Sequence, residues 1–167
     1  MSISPWRALT AAEPTPSGMP TQLTADDARL SLNAHAALKG GEIFAKYGPD
    51  IGWKELKRIL EDRTCVRYPC EIVFASEPLQ TGEFAHAAAV GEFPEEGFTL
   101  VVHPFFMTQL AAVPLLALYH LVTVNYGEFA SGDDAVAFAG AALGLTPDDY
   151  YRSLCDLVAP ITEAGCG

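Results

Sequence analysis

Neither lysine nor arginine occurs anywhere from residue 68 to residue 151, although that stretch carries 11 of the 21 aspartates and glutamates. Outside it, ten acids balance ten bases, so the net charge of −11 resides in those 84 residues. The absence excludes partners. A nucleic-acid footprint needs clustered Lys or Arg to displace counterions. A membrane-apposed segment needs basic flanks or a polybasic patch. Neither nucleic acid nor a membrane is therefore an expected partner. Residues 1–10 also lack the basic region, apolar run and small-residue cleavage site of a secretory signal, which points to a cytoplasmic protein.

Cysteine is scarce. Half of the residues are apolar or aromatic and only 19% are charged, so a single domain can bury a core without disulfides. Cys65, Cys70, Cys155 and Cys166 are expected as reduced thiols, and the sequence leaves their redox role open. The C-x4-C spacing of Cys65 and Cys70 departs from the C-x2-C knuckle of a zinc ribbon. No apolar run reaches the roughly 20 residues of a membrane span. The most apolar segment, residues 110–124, is interrupted by His120 and predicts a buried central helix near 112–126, with Pro114 in its first turn.

Among the segments that are present, residues 1–22 hold four prolines among Ser and Thr and predict a loose N-terminal arm, ahead of a single domain over 23–167. Thr24 followed by acids predicts a helix from about 24 to 39, stopped by Gly40 and Gly41. Residues 53–62 place Trp53, Leu56, Ile59 and Leu60 at helical spacing. Short runs rich in Val, Ile, Phe and Ala at 71–75, 83–90 and 98–103, bounded by Gly and Pro, predict about three strands, mostly antiparallel. Ser131 opens a helix that Gly144 ends, and Thr146 opens a last helix expected to stop before Pro160. The order implies an α+β fold, with a small sheet covered on one face by helices.

Residues 70–151, with a small sheet, a buried helix and a further helix, resemble in outline the core of zincin-type metallopeptidases. In that family the buried helix bears H-E-x-x-H, two imidazoles gripping an ion while the Glu polarises its water. Here His120 matches the first position, but Leu121 stands in the Glu position and Val124 in that of the second His. The resemblance thus implies a relative without peptidase chemistry, a structural or interaction domain that needs no cofactor.

Two alternatives come from the residues themselves. His86, His103 and His120, if brought to one end of the sheet, could hold zinc with an open position, and a carboxylate such as Glu128 could complete a metal-dependent hydrolase. Glu92, Glu95 and Glu96 in one turn could attract a basic protein partner or a small ligand. The plain reading of His120 is a core histidine bonded to a neighbour. For the acidic turn it is simple hydration.

Overall fold

A computed structural model describes residues 24–162. The expected arm over 1–22 and Cys166 lie outside them. The chain divides into two units, Met1–Ser31 and Leu32–Gly167. The described part of the first is a helix start. There the Thr24 hydroxyl accepts from the Asp27 N–H at 3.0 Å and the Asp27 carboxylate accepts from the Thr24 N–H.

Helix α1 (Ala25–Tyr47) runs through Gly40 and Gly41, past the stop expected at residue 39. A Cβ at Gly40 would lie 2.2 Å from the Phe138 carbonyl oxygen, so this glycine serves close approach to another helix, with no role as a cap. Helix α2 (Trp53–Glu61) forms as its pattern predicts, with Leu56, Ile59 and Leu60 buried and Glu55 accepting from the Gly52 N–H.

Three strands follow: β1 (Cys70–Phe74), β2 (Ala85–Ala89) and β3 (Phe98–Val102). The fold is α+β with a small sheet, as expected. Its order is β1-β3-β2 and it is mixed, with β2 antiparallel to β3 and β1 parallel to it. The connection over 75–84 is long enough to step past one vacant strand position, about 10 Å, before the chain turns back to fill it. Alternation sends Ile72, Leu100 and Ala87 to one face and Val73, Val101 and His86 to the other.

Helix α3 (Val113–Tyr126) follows a pair of 3-10 turns and packs on β2 and β3, and also against α4 (Gly132–Leu143). Leu116, Leu118 and Leu121 are wholly buried with Leu100, Phe106 and Phe138. With its flanking turns this helical stretch, Leu110–Phe129, reaches 20 residues at a mean hydropathy of 1.4, enough by length and composition to cross a membrane. Half of it is buried inside the protein, as in a core helix. Helix α4 is capped as predicted. Ser131 and Asp134 bond reciprocally at its start, and Gly144, at φ +74°, ends it in the left-handed conformation. Helix α5 (Pro147–Thr162) continues two residues past Pro160, where a stop was expected. The missing N–H of Pro160 forfeits a single intrahelical bond, a loss set against the helical turns already formed from Pro147 onward.

Candidate functional sites

The three histidines singled out by the sequence occupy different environments. His103 directly follows β3, and its Nδ1 accepts from the Phe105 N–H at 3.0 Å, capping the 3-10 turn Pro104–Thr108. His86 stands exposed on β2, with Nδ1 3.6 Å from a Glu83 carboxylate oxygen. His120, on α3, lies edge-on to Phe84 and to Tyr119, both at 5.2 Å between ring centres. Its Nε2 is shielded from solvent and has no hydrogen-bond partner among the described residues. Burial, helped by nearby His86, pushes the His120 pKa down to about 4, so the ring is neutral at physiological pH. No hydrogen bond joins His86 to His120. Among the described residues, no three His, Cys, Asp or Glu side chains come together as a metal would require. Glu128 is exposed on the turn after α3.

Cys65 and Cys70 are buried free thiols, and Cys155 is a partly buried one. Burial raises the pKa of Cys65 and takes that of Cys70 up to about 11, which keeps both protonated and poorly nucleophilic.

A second arrangement draws, apart from Cys65, on residues the sequence did not single out. The loop between α2 and β1 is anchored to the core by Asn125 at the end of α3. The buried Asn125 amide accepts from the Arg67 N–H at 2.8 Å and donates to the Cys65 carbonyl at 3.0 Å. Asp62 stiffens the start of the loop, accepting from Lys46 and Tyr47 on one oxygen and from the Thr64 N–H and hydroxyl on the other. These donors hold its carboxyl well below the usual carboxylate range. Between this loop, α1 and α3 opens a cleft of about 240 Å³, lined by Arg63, Arg67, Lys39 and His35 with Asn125 and Cys65.

The charges in this cleft are unevenly satisfied. Lys39 pairs with Glu42 at 3.0 Å. Arg63 donates through Nη1 to the Leu60 carbonyl at 3.0 Å and, at 3.5 Å, to that of Val66. Arg67 has a 3.5 Å contact from Nη1 to the Asn125 carbonyl and stacks over Tyr68 at 5.5 Å. Among the described residues, no carboxylate comes within salt-bridge distance of either arginine. The sequence signal was there in Arg63 and Arg67, the last two bases before the base-free stretch. Their partners in the cleft come from α1 and α3, which local spacing does not connect. Compared with protein-family models, curated proteins and solved structures, the chain matches none of them.

Proposed function

We propose that the protein is a non-catalytic interaction domain, zincin-like in outline, whose central helix is a packing spine. One observation carries this reading. Leu121 and Val124, in the positions where a zincin peptidase needs its base and second ligand, are 0% and 1% exposed and belong to the hydrophobic core. Converting them to a metal-binding pair would place a carboxylate and an imidazole among leucines, at a cost that only an ion and further polar partners could offset. The acidic turn gives such a domain a contact surface for a basic partner. Val90 and Phe93 stand exposed beside Glu92 and Glu95, while Glu96 accepts from the Phe93 N–H.

A second reading, a metal-dependent hydrolase, is favoured by the Nε2 of His120, without a partner among the described residues, and by the proximity of His86. Elemental analysis of the purified protein beside His120→Ala separates the two. The interaction-domain reading expects no stoichiometric metal in either. About one equivalent of zinc in the parent, lost in His120→Ala, would overturn it.

A further inference from the structure

We infer that the cleft between the 62–67 loop, α1 and the end of α3 binds a small phosphate monoester. The inference stands whether or not a metal binds at His120, because the two regions share no side chain.

Charge comes first. Of the five arginines among the described residues only Arg152 has a carboxylate within salt-bridge distance, and what sets Arg63 and Arg67 apart is that both line one cleft. Arg63 and Arg67 find none among the described residues, because the adjacent Asp62 is committed to Lys46, Tyr47 and Thr64, and Glu42 to Lys39. Two guanidinium groups match the charge of one phosphate monoester, about −1.5 to −2 at neutral pH, better than that of a monocarboxylate.

Construction comes second. The loop is held by Asn125 and Asp62, with Arg63 adding bonds to the Leu60 and Val66 carbonyls, so the Arg67 guanidinium is the one not needed to hold it. Among the described residues each guanidinium bonds through Nη1 alone, leaving the rest of its donor fork for oxygen atoms of a ligand. Thr64, whose hydroxyl is taken up by Asp62, and His35 line the same cleft.

Size comes third. About 240 Å³ is less than the roughly 300–1,000 Å³ of pockets for drug-sized ligands, so the cleft suits a phosphate with a few attached atoms. A nucleic acid would have to lay further phosphates across a molecule of net charge −11. Cys65, neutral and buried, forms part of the wall, so no covalent step is assigned to the site.

The test is calorimetric titration at fixed ionic strength with inorganic phosphate, glycerol 3-phosphate and acetate. Both phosphates are expected to bind one site, and acetate more weakly. Arg63→Gln and Arg67→Gln should each weaken phosphate binding about ten- to hundredfold, the span of a lost charge-assisted hydrogen bond. Lys57→Gln, outside the cleft, should leave it unchanged. Circular dichroism melts verify folding. Should Arg63→Gln fail to fold, Arg67→Gln, whose guanidinium among the described residues makes one long backbone contact and stacks over Tyr68, carries the test alone. Failure of both phosphates to bind at millimolar concentration, acetate binding as tightly as phosphate, or unchanged affinity in the Arg67 variant would each overturn the inference.

Discussion

His120 illustrates how a single side chain sets a pH limit. Its folded-state pKa of about 4 lies below the 6.5 of an unperturbed histidine, so the unfolded chain binds the extra proton first as pH falls. The associated stability is fully present above pH 6.5 and is lost as pH falls toward 4, amounting to about 2–3 kcal/mol by pH 4.5. Urea denaturation at pH 7 and pH 4.5 should show the parent losing more stability than His120→Phe, by about that amount. Equal losses in the two proteins would remove His120 from the acid response. Little of this was legible beforehand. The sequence placed His120 on a buried helix, but its aromatic cage pairs Tyr119, its neighbour, with Phe84 from the segment before β2, and only the fold brings that residue close.

Among the elements, two adjacent glycines in α1 make opposite predictions. Gly40 faces the Phe138 carbonyl with no room for a methyl group, so Gly40→Ala should destabilise by about 1–3 kcal/mol as α1 and α4 are forced apart. Gly41 has nothing within 4 Å of its missing Cβ, so Gly41→Ala should stabilise by about 0.5–1 kcal/mol through helix propensity. Thermal denaturation of the two variants checks the pair, and the same sign in both would contradict the packing. The contrast also shows which signals local sequence carries. Ser131, Asp134 and Gly144 bound α4 as expected because a cap is a local bond, satisfied within a few residues. Gly40 and Gly41 read as a cap for the same local reason. What places Gly40 inside a helix is a neighbour nearly a hundred residues away. The strand segments were recognisable from composition, but the parallel pairing of β1 and β3 depends on which gap the chain later fills.

At the level of the whole molecule, charge asymmetry governs the response to salt. The acids of residues 68–151 face no basic residue within that stretch, and their mutual repulsion opposes compaction. Raising ionic strength from about 0.02 M to 0.5 M shortens the screening length from roughly 20 Å to under 5 Å. Relief of about 1 kcal/mol would raise the melting temperature by roughly 2–4 °C in a chain of this size. An unchanged or lower melting temperature in scanning calorimetry would mean that the acidic surface is not a limiting term. The strand order, in turn, sets a sequence of events during synthesis. β1 and β2 emerge first, yet they do not touch, and the strand that separates them is the last of the three to be made. β3 meets β2 across a short turn but must find β1 at a separation of 28 residues, from Cys70 to Phe98. A chain halted before residue 98 would therefore expose two strands with no proper neighbour, and the nascent sheet would become a cooperative unit only once its central strand had left the ribosome.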